Sequence, residues 1–239
     1  FNDHSPEETV AIAREFMEVV DSGEPAKSNY VRDGEDTHVW DIKTMDRMAR
    51  IRSRMWDYAM NETVYSLYLF IDSDVLIAPG VGKEVIAAFK SIPARGADCN
   101  IISPIYWSKW KKDGPELPQV WDYHSYGFKG IVSERLRELR TPGLHEVGGL
   151  GAVTFVTNSV FNNYGDAGLD PPYTPIESLR KAGGGMMNGE DRWFCIRAEC
   201  AGYKLYGLAG DPPLAYHIYR DTDLKGVEEW ERLVNRAHN

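Results

Sequence analysis

Apolar positions recur along the chain with two alternating spacings. Ser5-Pro6-Glu7-Glu8 has the form of a helix start, with Ser5 as N-cap, Pro6 at the first helical position and Glu8 closing a capping box. Val10, Ala13, Phe16, Met17 and Val20 then keep helical spacing as far as Gly23. A polar, turn-rich stretch at 23–37 reads as a surface loop, and a second helix is expected over Lys43 to Met60, carrying Arg47, Arg50, Arg52 and Arg54. Val64 to Ile71 is nearly continuous in β-branched, aromatic and aliphatic residues, the pattern of a buried strand. Pro79-Gly80 opens a helix to about Lys90, and Asn100 to Tyr106 is another apolar strand. Residues 107–130 mix Trp107, Trp110, Trp121, Tyr123, His124 and Tyr126 with charged and turn residues, and read as an aromatic loop. Further on come a charged helix from Val132 to Arg140, a strand from Ala152 to Thr157, and a helix from about Asn188 to Gly202. A strand over Leu214 to Ile218 and a helix carrying Leu224, Val227, Trp230 and Val234 end the series. Strand and helix signals alternate, which predicts an α/β fold. No linker or repeat interrupts them, so one domain over 1–239 is expected.

Charge removes one class of function. The net charge is −9 and no basic run is long enough to follow a phosphate backbone, so nucleic acid is not an expected partner. No apolar run approaches the roughly 18 residues of a membrane span, and no signal-peptide pattern is read. Cys99, Cys195 and Cys200 are an odd set without metal-type spacing, as expected of reduced thiols in the cytoplasm. The expected location is cytoplasmic, with or without peripheral attachment to a membrane.

Candidate chemistry begins where the Val64–Ile71 strand runs into Asp72-Ser73-Asp74. Open α/β sheets bind ligands at strand ends, and two carboxylates one residue apart suit Mg²⁺ or Mn²⁺ that also bridges substrate phosphates. The same residues serve equally well as a cap on the following turn. Glu190-Asp191 form a second acidic pair behind the run AGGGMMNG. They fit either a catalytic carboxylate beside a mobile lid or a first helical turn complementing the macrodipole, with Asn188 as N-cap. His217, on an apolar strand, fits a core histidine or a ligand; Arg52 and Arg54 fit a solvated helix face or a phosphate site.

The order of these features resembles nucleotide-sugar glycosyltransferases of the GT-A fold, family 2 type, with a secondary likeness to Anp1-type mannosyltransferases. The likeness is carried by FNDHSPEET (1–9), ARIRSRMWDYA (49–59), LFIDSDV (69–75), VGGLGAVTFV (147–156), GEDRWFCIRAECAGY (189–203) and YHIYR (216–220), in collinear order. It implies a Rossmann-like, mainly parallel central sheet flanked by helices. It also implies a nucleotide-binding strand ahead of the turn in which Phe1 lies, hence an N-terminally incomplete domain. By resemblance, Asp74 and His217 hold Mn²⁺ or Mg²⁺ on the donor diphosphate, and Asp72 contacts the donor ribose or the metal shell. Asp3, Arg52 and Arg54 lie near the nucleotide and phosphates, and Asp191, with Glu190 beside it, is the general base. The implied partners are a UDP- or GDP-linked sugar and an acceptor hydroxyl. Family 2 likeness implies inversion; Anp1 likeness implies GDP-mannose and retention. Family 2 members often carry an arginine where this chain has Thr157-Asn158.

Two other readings compete. Leu69 to Val75 also fits the first motif of haloacid-dehalogenase-type phosphatases, with Asp72 as nucleophile, Asp74 as acid/base and Lys181 as a later element. That motif belongs on the first strand of its domain, whereas about 70 residues of helical pattern precede it here. A non-catalytic carbohydrate-binding protein would use the 107–126 aromatics but leaves both acidic pairs unexplained.

Overall fold

The computed structural model describes residues 7–15, 19, 42–62, 65–92, 99–108, 115–124, 127–129, 133–161, 171–181, 189–218 and 224–237. The helices are α1 (Glu7–Arg14), α2 (Ile42–Glu62), α3 (Val81–Ser91), α4 (Ser133–Glu138), α5 (Glu177–Lys181), α6 (Glu190–Cys200) and α7 (Leu224–Ala237). The strands are β1 (Leu67–Ile71), β2 (Val75–Ile77), β3 (Cys99–Pro104), β4 (Trp107–Ser108), β5 (Leu117–Pro118) and β6 (Val120–His124). They continue with β7 (Gly127–Lys129), β8 (Gly143–Val147), β9 (Gly149–Leu150), β10 (Val153–Thr157), β11 (Lys204–Ala209) and β12 (Ala215–His217).

A five-stranded sheet, ordered β1-β10-β3-β11-β8, organises the fold. Strands β1, β3 and β10 carry apolar residues on both faces. Phe70, Ile101, Val156 and Leu205 pack on one side with Trp56 of α2 and Phe194, Cys195 and Ala198 of α6. Leu69, Ile102, Val153, Phe155 and Leu208 pack on the other with Val81, Val85 and Ala88 of α3. Period-2 alternation sends successive side chains to opposite cores, which is why β1 and β10 read as continuous apolar runs. The sheet thus lies between two helical layers, and the chain is mixed α/β.

The mainly parallel sheet is not what these strands build. β1–β10, β10–β3 and β11–β8 are antiparallel, and β3–β11 is the parallel pair. A strand–helix–strand order in sequence does not make the two strands neighbours. Here α3 leads from β2 to β3, yet β10 lies between β1 and β3 and runs against both. The 107–130 stretch is also more regular than its composition suggests. β4 pairs β5, and β6 pairs both β7 and β9. Edge strand β8 and parallel strand β11 were not anticipated, because Gly143-Leu144-His145-Glu146-Val147 and Lys204 to Ala209 hold glycine and charge among few β-branched residues.

Two local features aim the site. Asp72 N–H bonds Ala152 O (2.9 Å) and Val75 N–H bonds Asp72 O (3.1 Å), so the chain turns tightly between β1 and β2. β2 then pairs β12 with His217 opposite Val75, and Ile218 N–H bonds Asp74 O at 2.8 Å.

Candidate functional site

The turn divides its two acids between different neighbours. Asp72 accepts a hydrogen bond from Arg52 Nη2 at 2.7 Å, whereas Asp74 Oδ1 lies 3.6 Å from His217 Nε2. Each aspartate keeps about a quarter of its side-chain surface open (27%). His217 is buried, and its ring stacks on Tyr106 at 5.8 Å.

Arg52 is the hub on the other side. It reaches from α2 to Asp72, to Asp191 Oδ1 (Nη1, 2.9 Å) and to Glu190 Oε1 (Nε, 3.4 Å). Tyr173 lies against it, ring centre 5.8 Å from the guanidinium carbon. Burial opposes the Arg52 charge, but Asp191, then Asp72 and Glu190, outweigh it and raise its pKa well above the ordinary arginine value. One cation faces three carboxylates. Burial first, and then Asp191, push Glu190 up to about 8; burial and Asp72 likewise push Asp191 up, against the pull of Arg52.

Helix α6 supplies both of these acids. Its N-cap is Gly189 rather than Asn188, so Glu190 and Asp191 are N1 and N2. Successive helical residues diverge by about 100°. Glu190 turns inward (3% of its side chain exposed), and Asp191 keeps an open face (26%). Asn188 and the Gly183-Gly184-Gly185 run lie outside the described residues.

Cys195 sits one turn along. Leu150 N–H donates to its Sγ at 3.3 Å, and burial pushes the thiol far above its ordinary value, which leaves it a packing residue rather than a nucleophile. Arg54 is exposed on α2, on a different face from buried Arg52. Asp3 lies outside the described residues, as do Trp110 and Tyr126. Trp107 and Trp121 are half-buried; Arg140 covers the Trp107 ring at 3.6 Å. The side chain of Lys181 is likewise not described.

Asp72, Glu190, Asp191 and Arg52 therefore meet in one cluster, and Asp74 meets His217 at the other side of the same turn. Among the described residues no three His, Cys, Asp or Glu side chains form a cation-binding group. The Asp74–His217 pair still has suitable chemistry for a partly protein-bound cation. Two cis ligands of a six-coordinate metal lie roughly 3 Å apart, and Mg²⁺-type sites commonly use one or two protein ligands with phosphate and water completing the shell. An imidazole beside a carboxylate suits Mn²⁺ as well.

Tyr173, Tyr106 and Arg197 complete the surroundings without any sequence signal. Arg197 donates to Thr174 O (2.5 Å) and Pro172 O (3.3 Å), fixing the segment that carries Tyr173. Tyr173 stacks on Phe194 at 5.1 Å.

No protein-family model matches the sequence, and no curated protein matches it. Among solved structures the chain is similar to A197 from STIV, at 18% identity and a TM-score of 0.45, over 72% of this chain and 67% of that one. No helix among the described residues is long and apolar enough to cross a membrane.

Proposed function

We propose that this chain is a metal-dependent glycosyltransferase of GT-A type that moves a sugar from a UDP- or GDP-linked donor to an acceptor hydroxyl, with inversion. The observation that carries the reading is the division of the Asp72-Ser73-Asp74 turn. One acid faces an imidazole, and the other is tied through Arg52 to an open-faced carboxylate on a helix start. A diphosphate leaving group and a hydroxyl nucleophile need such a pair of poles, a cation site and a proton acceptor, on opposite sides of one carbon.

In this reading Asp74 and His217 hold Mn²⁺ or Mg²⁺. When bound, the cation supplies positive charge against the departing diphosphate. Asp72 lies between the poles and orients the donor. Asp191 takes the proton from the acceptor hydroxyl as that oxygen bonds the anomeric carbon. The bond from that carbon to the diphosphate breaks, and its electron pair leaves with the phosphate oxygen. Asp191 suits the task better than Glu190 because its carboxylate has an open face and the glutamate does not.

The test is product analysis with UDP- and GDP-sugars and Mn²⁺, alongside calorimetric titration of the cation with UDP or GDP. Slow release of nucleoside diphosphate, accelerated by an acceptor, is expected. Asp74→Ala and His217→Ala should each weaken nucleotide-dependent Mn²⁺ binding by about tenfold or more. Release of inorganic phosphate from phosphomonoesters would instead identify a phosphatase, and sugar binding without bond cleavage a carbohydrate-binding protein.

A further inference from the structure

We infer that Arg52 is a positioning residue that works through Asp191, clamping the proton-accepting carboxylate to the Asp72 turn rather than contacting the donor. The inference rests on the transferase reading for its kinetic consequence, but its geometry stands alone. All three guanidinium nitrogens have carboxylate partners: Nη2 faces Asp72, Nη1 faces Asp191 and Nε faces Glu190. Only 5% of the side chain is exposed, so an incoming diphosphate would have to displace Asp72 or Asp191 to reach it. The planar fork joins α2, the β1–β2 turn and the start of α6 at one point.

The clamp answers a need that α6 itself creates. Gly189, the N-cap, contributes no side-chain cap bond, so the first turn of α6 lacks the usual local anchor. Arg192 N–H and Trp193 N–H bond Gly189 O at 3.1 and 3.3 Å, but these fix the helix, not the Asp191 carboxylate. Arg52 supplies the missing constraint. A like-charged pair, Asp72 and Asp191, would otherwise spread apart. Arg52 is in turn backed by Tyr173, whose segment Arg197 holds through the carbonyls of Pro172 and Thr174. Lysine cannot replace this arrangement, because an ammonium is a point charge without a planar fork.

The experiment is a double-mutant cycle with Arg52→Lys and Asp191→Asn, on the full chain with Mn²⁺ and a donor that the wild type cleaves. Arg52→Lys should lower kcat by about 10²-fold, the cost of roughly 1 Å of misplacement, with the donor KM changed by less than about threefold. In the Asp191→Asn background the same substitution should have almost no further effect, because the group it positions is already disabled. Independent, multiplying losses would overturn the inference, and a large rise in donor KM would assign Arg52 to donor binding instead. If Arg52→Lys does not fold, the cycle is run in a Glu190→Gln background, where the buried side chain beside the ammonium cannot ionise. If the wild type cleaves no nucleotide sugar, the transferase reading fails and the clamp is read from the crystal structure of Arg52→Lys. The Asp191 carboxylate should then leave its place beside the Asp72 turn while the α6 backbone stays where it is; an Asp191 side chain that keeps its wild-type position would overturn the clamp.

Discussion

Arg52 joins three acidic side chains, and burial and mutual repulsion act unequally on the two of them that α6 supplies. Glu190, enclosed, holds its proton to about pH 8; Asp191, partly open, is the one able to meet a hydroxyl. Asp191→Asn is therefore expected to cut sugar transfer about 10²- to 10⁴-fold, the usual contribution of a positioned general base. Mn²⁺-dependent donor binding should survive, because Asp74 and His217 are untouched. Rates from Glu190→Gln run alongside decide between neighbours: if the glutamine variant is dead and Asp191→Asn is active, the base is Glu190. The sequence made these acids visible by what precedes them, the apolar run of β1 before Asp72 and Asp74 and the glycine-rich AGGGMMNG before Glu190-Asp191. Arg52 stood out only together with Arg54, as a pair the resemblance places near the phosphates; which of the two is buried depends on which face of α2 meets α6, which residue type does not reveal. Tyr173, in Pro171-Pro172-Tyr173, gave no signal because its role comes from stacking across the fold.

The longer elements were legible from periodicity, with α2, α3 and β1 falling within a few residues of their patterns. The short ones were not. Val120-Trp121-Asp122-Tyr123-His124 does alternate, but five residues bounded by glycine, proline and charge carry too little pattern to outweigh a loop composition. What stabilises β6 is a partner distant in sequence: Trp121 pairs with Gly149 of β9, and its indole lies where a side chain on Gly149 would be. A Cβ placed there would come within 1.8 Å of Trp121 Nε1. The glycine is thus required by the ring above it, not by a turn. Gly149→Ala should cost about 1–3 kcal/mol, the usual range for overpacking, measured by urea unfolding. Gly149→Ala combined with Trp121→Ala should recover part of what the two single losses sum to; simple additivity would show that the ring moves aside at no cost.

At the scale of the whole molecule, sequence alternation revealed the layers but not the strand directions, because direction depends on which strand intervenes. β10 enters between β1 and β3 after the small sheets of 107–150 have turned the chain, and no local pattern in Val153–Thr157 records that. The arrangement has a global consequence for stability. Placing α6 against the sheet buries Glu190 beside Asp191, which raises its pKa from 4.5 to about 8. An unfolded glutamate loses its proton near pH 4.5, whereas the folded one retains it. Between those values the native state binds more protons than the unfolded state, so stability falls as pH rises. The contribution is fully present below about pH 4.5 and is lost through about pH 8. Raised Asp191 and Glu199 act in the same direction. Glutamine mimics the protonated glutamate and cannot ionise, so Glu190→Gln removes this slope. The two proteins should melt together at pH 4, and the variant should melt higher at pH 9, by about 2–4 °C for each kcal/mol that ionisation costs. Arg52 is the group that sets the opposing pull, since it favours the charged glutamate. A melting difference that stays constant from pH 4 to 9, or that favours the wild type at pH 9, would mean that Arg52 outweighs burial and that Glu190 is a carboxylate throughout.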